Sequence, residues 1–288
     1  MTDAFPDSAP YIPLEPGGSV YLFANHDAMP IVNNFSFNNI NNKQFQQMVD
    51  LTQFAVAAIY PPDGEINVPR NRRYRLAAWG NYPVSRAKMA LGASKDWKKQ
   101  RSPVSGAEYW YAARDGLSIA MIGERALVAT AAGDAPYTPV DPFSAAPGTA
   151  LPEGFSEFRK EAVLACWLDD PGPVINRKLT EMGIPLELPA QQLFISLFPA
   201  GGAQRSVEQQ RYEARIQIQV ANASQARSLA AMFAIARNFI PPQADSDNSA
   251  ALLSVLFANP PVPDGKNLNI TTAPLSAGEI ALLVKRWN

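Results

Sequence analysis

One histidine and one cysteine in 288 residues remove several common kinds of chemistry at the outset. With His26 alone, a two-histidine or three-histidine metal centre and any HExxH motif are excluded. With Cys166 alone no internal disulfide can form, so cysteine usage says nothing about redox compartment. Inside the apolar run "AVLACWLDD" it reads as a small buried hydrophobe. Charge is scarce as well: 18% of residues are charged, against roughly 25% in an average soluble protein, and they nearly cancel to −1. That argues against a nucleic-acid partner, whose phosphates call for a basic footprint. No apolar run approaches the roughly 18 residues of a membrane span. No GxSxG elbow, P-loop or GxGxxG occurs.

The opening "MTDAFPDSAPYIPLEPGG" has neither a basic stretch nor an apolar one, so it is no signal peptide. It reads as a flexible leader over 1–18, of the kind left when a signal or lipoprotein segment has been removed. A cytoplasmic protein with a loose start is the alternative.

What the chain does have is apolar residue in quantity, 47%, arranged in short periodic runs. "DAMPIVN" at 27–33 returns as "DPGPVIN" at 170–176, 143 residues later. In each place a strand-like run precedes the phrase ("SVYLFANH", "AVLACWLDD") and a helical pattern follows it ("NNKQFQQMVDLT", "VINRKLTEMGI"). Two further strands come next, "QFAVAAIYPP" and "YRLAAWGNY" in the first half, "QQLFISLFPA" and "YEARIQIQVA" in the second. A helix closes each series: "PVSRAKMALGAS", with Pro83 near its entry and Gly92 at its exit, and "SQARSLAAMFAIARNFI", beginning at a Ser224 cap. Glutamine at 53 and 191, Arg-Tyr at 73 and 211, and "SRAK" at 85 against "SQAR" at 224 keep the same order, at offsets of 138, 138 and 139. These collinear matches predict an α+β fold made by tandem duplication of a ferredoxin-like, split βαβ unit with antiparallel sheets.

The predicted layout is a first repeat over 19–131, a Pro/Ala/Gly-rich spacer laid over the surface at 132–158, and a second repeat over 159–288. The first repeat ends in a meander, with hairpin chemistry at Asp115-Gly116 and Gly123-Glu124. The second ends in a helix around "AALLSVLFA", a strand "LNITTAPLS" and a last helix "AGEIALLVKRW".

In the repeated phrase each residue has a local mechanical job. Aspartate caps the turn, proline sets φ at a helix start, the aliphatics point inward and asparagine binds backbone or faces out. Strand ends are also common places for ligands, so His26, Asp27, Asn33, Asp169, Asp170 and Asn176 form the candidate site. His26 with Asp27 has the chemistry of a base and its orienter, and His26 alone that of one haem ligand. Asp169 and Asp170 with Asp27 make the best carboxylate cluster, but no third group has recognisable metal-ligand spacing. "EYWY" puts aromatics on both faces of one strand: one face packs on helices, the other is covered by the second repeat or left open with Tyr109 and Trp110 as ligand contacts. The basic stretches around Trp97 (Lys95, Lys98, Lys99, Arg101) and at Arg70, Arg72, Arg73 and Arg75 read as solvated loops.

The segments "IPLEPGGSVYLFAN", "RYRLAAWGNYP", "DWKKQRSPVSGAEYWY" and "GEIALLVKRWN" resemble a group of spirochaete, Treponema-type, exported lipoprotein-like envelope proteins. The resemblance implies export to the periplasm or outer envelope and a lipid anchor on a cysteine upstream of this sequence. It transfers no catalytic residue and no cofactor. The expectation is therefore a non-enzymatic envelope binding or scaffold protein, its partner an envelope ligand or protein. Two alternatives stand beside it: an enzyme or haem or metal binder in a cleft between the repeats around His26 and Asp170, and a homo-oligomer joined through sheet edges.

Overall fold

A computed structural model describes residues 20–32, 50–60, 73–114, 116–131, 139–144, 159, 161–181, 187–201, 209–238 and 258–287. The fold is mixed α and β, with antiparallel sheet and, among the described residues, five α-helices. Contacts divide the chain into two units, one of Met1–His26 with Asn39–Glu153, the other of Asp27–Asn38 with Gly154–Asn288. In this division the first copy of the repeated phrase, from Asp27, belongs with the second unit.

The first unit carries β1 (Val20–Asn25), β2 (Thr52–Tyr60), β3 (Arg73–Gly80), β4 (Trp97–Arg101), β5 (Glu108–Ala112), β6 (Leu117–Ile122) and β7 (Ala126–Ala131). They pair in the order β1-β2-β3-β7-β6-β5-β4, each antiparallel to its neighbour. Gly116 and Gly123 sit at φ 62 and 60, the left-handed turn positions that a bare backbone reaches without a Cβ clash. All six residues of β7 are buried, and Phe54 stacks on Trp79 with centroids 4.7 Å apart. One helix of this unit, α2 (Val84–Ala93), buries none of its residues. β4 ends the run of strands; its "WKKQR" is an edge strand where a solvated loop was expected. Lysines on an edge strand discourage pairing with another chain, and Lys99 also meets Glu108 at 2.7 Å.

The second unit holds α1 (Met29–Val32), β8 (Leu164–Asp169), α3 (Gly172–Glu181), β9 (Gln192–Ala200), β10 (Arg211–Gln219), α4 (Ala223–Asn238), β11 (Val262–Asp264), β12 (Asn267–Thr271), β13 (Leu275–Ser276) and α5 (Ala277–Trp287). Strands pair antiparallel as β8-β9-β10-β12-β11, with β13 also on β10. Register aligns Leu168, Leu193, Ile218 and Leu268 across four strands. There they meet Ile175 and Leu179 of α3 and Ala226, Leu229 and Phe233 of α4. Each fully buried Leu, Ile or Phe of this layer contributes roughly 1.5–3 kcal/mol. The cap of α4 is Asn222, whose Oδ1 accepts from the Gln225 amide at 3.0 Å, and not Ser224.

The split βαβ pairing is not what these strands adopt. In that arrangement the strands before and after the first helix run parallel with another between them. Here β8 and β9, which flank α3, are direct antiparallel neighbours, and so are β1 and β2. Strand order follows chain order through β1-β2-β3 and β8-β9-β10, and departs from it where β7 joins β3 and β12 joins β10. The segments "NNKQFQQMVD" up to residue 49, "DGEINVPRNR" and "AALLSVLFA" up to residue 257 lie outside the described residues.

α5 starts with a reciprocal cap that the sequence "SAGE" encodes. Ser276 Oγ accepts from the Glu279 amide at 3.2 Å, and Glu279 Oε2 accepts from the Ser276 amide at 2.7 Å and from Arg211 at 2.9 Å. The Ser276 amide, then its hydroxyl and, more weakly, Arg211 hold the Glu279 carboxyl below the usual carboxylate range. A depressed folded-state pKa contributes stability above the unfolded value of 4.5 and loses it as pH falls through the folded one. Glu279→Gln is expected to lower the melting temperature at neutral pH and flatten its decline below pH 4.5. Ser276→Ala should cost about 1 kcal/mol. Parallel acid melting curves for native protein and Glu279→Gln would refute this account.

Candidate functional site

Both copies of the repeated phrase begin immediately after a strand, as the sequence placed them, and both fall in the second unit. His26, Asp27 and Ala28 form a 3-10 turn that leads into α1, and Asp170-Pro171 leads into α3. Ala28 and Ile31 are fully buried, as are Pro171 and Ile175 in the second copy. His26 is exposed, and its Nδ1–H donates to the Thr52 carbonyl oxygen at 3.2 Å. Asp27 is exposed. Burial raises the pKa of the Tyr212 phenol, and the Asp27 charge raises it further. Asp170 is exposed, at φ 47, with its amide on the Gln191 carbonyl at 2.9 Å. Asp169 is half-buried at the end of β8, opposite Gln192. Asn33 lies outside the described residues.

Asn176 is the most committed of the set. Its Nδ2 donates to the Leu188 carbonyl at 3.2 Å and its Oδ1 accepts from the Leu188 amide at 2.7 Å, so one side chain satisfies both backbone groups of a buried residue. Tyr109 and Trp110, on opposite faces of β5, are 5% and 3% exposed. Among the described residues no three His, Cys, Asp or Glu side chains are grouped to hold a metal ion.

Two places went unread in the sequence. Residues 139–144, inside the expected spacer, are strapped to the first unit. Ser102 Oγ donates to Asp141 Oδ2 at 2.6 Å, the Phe143 amide to Asp141 Oδ1 at 2.9 Å, and Thr130 Oγ1 to the Val140 carbonyl at 3.2 Å. Arg75 reaches the Pro142 carbonyl at 3.4 Å, so one arginine of the basic stretch is structural, while Arg70 and Arg72 lie outside the described residues. Phe143 packs on Tyr109, Tyr111 and Ala120. "Asp-Pro-Phe-Ser" carries the signal, an aspartate whose side chain caps its own turn two residues on. The second place is a shallow groove of about 440 Å³ at the start of α2, lined by Asn81–Arg86, Glu124 and Arg125. Tyr82 stands in it, hydrogen-bonded to Thr52 Oγ1 at 2.8 Å, its phenol pKa raised by burial.

Cys166 keeps some surface as a residue, yet burial pushes its thiol up to about 12. A thiol held there is almost wholly protonated at pH 8 and a poor nucleophile. Iodoacetamide is expected to leave the folded protein unmodified at pH 8 and to label it fully in denaturant, read by intact mass. Rapid labelling of folded protein would show the thiol to be reachable.

The fold defines an α+β protein whose described strands pair antiparallel, with β1-β2-β3 and β8-β9-β10 in chain order. No protein-family model matches the chain, and no curated protein matches it. Among solved structures it is similar to TP0453, a Treponema protein, in several crystal forms. Crystal form III is 17% identical, with a TM-score of 0.60 over 97% of this chain and 98% of that one. Crystal form I is 15% identical, with a TM-score of 0.60 over 98% and 97%. Crystal form IV is 16% identical, with a TM-score of 0.59 over 96% and 98%. At these identities the likeness is one of fold, consistent with the Treponema-type group that the sequence resembles. No described helix is long and apolar enough to cross a membrane.

Proposed function

We propose that this chain is a non-enzymatic binding or scaffold protein of the cell envelope, exported and built from two copies of a β-α-β-β-α unit. The observation that carries the reading is the employment of the candidate polar groups. His26 and Asn176, the side chains best suited to chemistry, are engaged by backbone groups and hold turns in place. Apolar side chains meanwhile stand open on the helices: Met232 and Ile235 on α4 and Leu282 on α5 are 43%, 59% and 55% exposed. Exposed apolar groups on a helix face suit a binding partner better than a reaction.

The duplication is supported by equivalent elements that start 144, 140, 138 and 139 residues apart, at 20 and 164, 52 and 192, 73 and 211, 84 and 223. β1 and β8 also share one burial pattern, with second and fourth residues buried. The copies are of a meander unit and not of the ferredoxin-like one.

Fractionation of the source cells tests the reading. Recovery with the envelope, carrying a lipid-modified cysteine upstream of "DAFPDSAP", is the expected result; recovery in the cytosol with an unmodified start would sink it. Freshly purified protein should show no bound metal by elemental analysis and no haem absorbance. A chromophore lost in His26→Ala would transfer the case to the cofactor-binding alternative.

A further inference from the structure

One edge of the first unit's sheet names a kind of partner, and so deepens the binding proposal on which it rests. β4 pairs with β5 and, among the described residues, with no other strand. At the turn that joins them the Ser102 amide donates to the Ala107 carbonyl at 2.8 Å. Hydrogen bonding alternates along an antiparallel pair, so Gln100 and Lys98 are bonded to β5, while Trp97, Lys99 and Arg101 turn their amides and carbonyls outward. Lys98, Lys99 and Arg101 are exposed, and Lys99 keeps 56% of its side chain open although it meets Glu108. The edge is therefore within reach of a strand from outside.

Its charge is of one sign. α2, β4 and the turn between them, residues 84–101, carry six cations and a single carboxylate, Asp96, in a chain whose net charge is −1. Strand alternation sets Lys99 and Arg101 on one side of β4 and Lys98 on the other. Lys88 of α2 stands with the first pair. The Glu108 carboxyl is held below the usual carboxylate range by its bond to Lys99, with further help from the charges of Arg101 and Lys88. One carboxylate thus serves three cations and cannot neutralise them.

Such an edge selects by sign. A second copy of β4 would set cation against cation, and like charges facing each other across a strand pair are destabilising. A strand with carboxylates on alternate residues turns the same contact into attraction, and its backbone completes the ladder that β5 leaves unfinished. The ladder is the same for any sequence; the charges choose the partner.

We propose that β4 takes an acidic, extended segment of a partner protein as a further strand of the sheet. The probe is a fluorescent octapeptide of alternating glutamate and threonine, followed by anisotropy with the whole protein. It should bind saturably, and the Lys99 and Arg101 amides should exchange with deuterated water more slowly in its presence. The same peptide methylated on every backbone nitrogen keeps the charges and loses the donors, and should bind about tenfold more weakly or less. Lys99→Glu with Arg101→Glu should weaken the acidic peptide about tenfold and take up an octapeptide of alternating lysine and threonine instead. Arg227→Ala in the second unit should bind as native protein does. Should the reversed variant fail to fold, Lys99→Gln with Arg101→Gln should weaken binding about three- to fivefold. No saturable binding, or binding unchanged in the double variants, overturns the assignment. Equal binding of the methylated peptide overturns it too, by making the cluster a surface for any polyanion. Those failures leave the envelope reading to fractionation. Cytosolic recovery with peptide binding intact would sink that reading and keep the edge.

Discussion

Gly80→Ala is expected to be among the most damaging single-methyl changes in this protein, at about 3 kcal/mol or more. A Cβ built there overlaps the Leu51 carbonyl oxygen and stands 2.9 Å from the Leu51 carbonyl carbon and 3.0 Å from Thr52 Cα. Every one of these atoms is backbone, so no rotamer change relieves the overlap. The close approach lies beside the irregular register between Thr52 and Phe54. Two hydrogen bonds fix it there, from the Asn81 amide to Leu51 O at 3.0 Å and from the Gly80 amide to Arg125 O at 2.9 Å. The His26 ring donates to the next carbonyl, so the first copy of the phrase would shift as well. Gly92→Ala is the control: it meets nothing within 4 Å inside α2 and should be neutral or up to about 1 kcal/mol stabilising. Urea midpoints of the two variants decide the matter; equal midpoints would remove the close-approach explanation.

Asn176→Ala is expected to cost roughly 2–4 kcal/mol, since it strands the amide and carbonyl of Leu188 at once. Leu188 is 7% exposed, so water reaches neither group easily. Asn176→Asp keeps the acceptor for the Leu188 amide but sets a carboxylate against its carbonyl, and should fall between alanine and the native residue. An alanine variant within about 0.5 kcal/mol of native would mean that asparagine was kept for something other than this clamp. The clamp answers why the phrase ends in asparagine. Its helix is pinned to the 187–190 segment, and an amide offers a donor and an acceptor on two atoms of one planar group.

Much of the fold was legible because strand pairing in a half-buried sheet writes itself as alternation. "YEARIQIQ" became β10, with Tyr212, Ala214 and Ile218 buried as read, and "AGEIALLVKRW" became α5 from first residue to last. The hairpin glycines were legible from turn chemistry alone. β4 was not, because an edge strand pairs on one side only and needs no apolar alternation to stay in place. Connectivity was misread for a different reason. A helix between two strands suits parallel or antiparallel neighbours alike, and no local pattern separates them. Of the candidate site, the positions at strand ends were legible and their work was not. Whether Asn176 meets a ligand or Leu188 depends on a partner 12 residues away, which spacing does not reveal. The strap at Asp141 was hidden by the same kind of distance, 39 residues from Ser102.

The pairing of α1 with α5 in one unit has a kinetic side. Most contacts of that unit join strands close in sequence, which favours fast assembly. Ile31, wholly buried, belongs to a turn of helix whose neighbour begins only at Ala277. On a ribosome the contact between α1 and α5 therefore forms only once almost the entire sequence has emerged. Closure of that longest loop is the natural last step of folding. A chain stalled before residue 277 should hold its meanders yet offer Ile31 to chaperones.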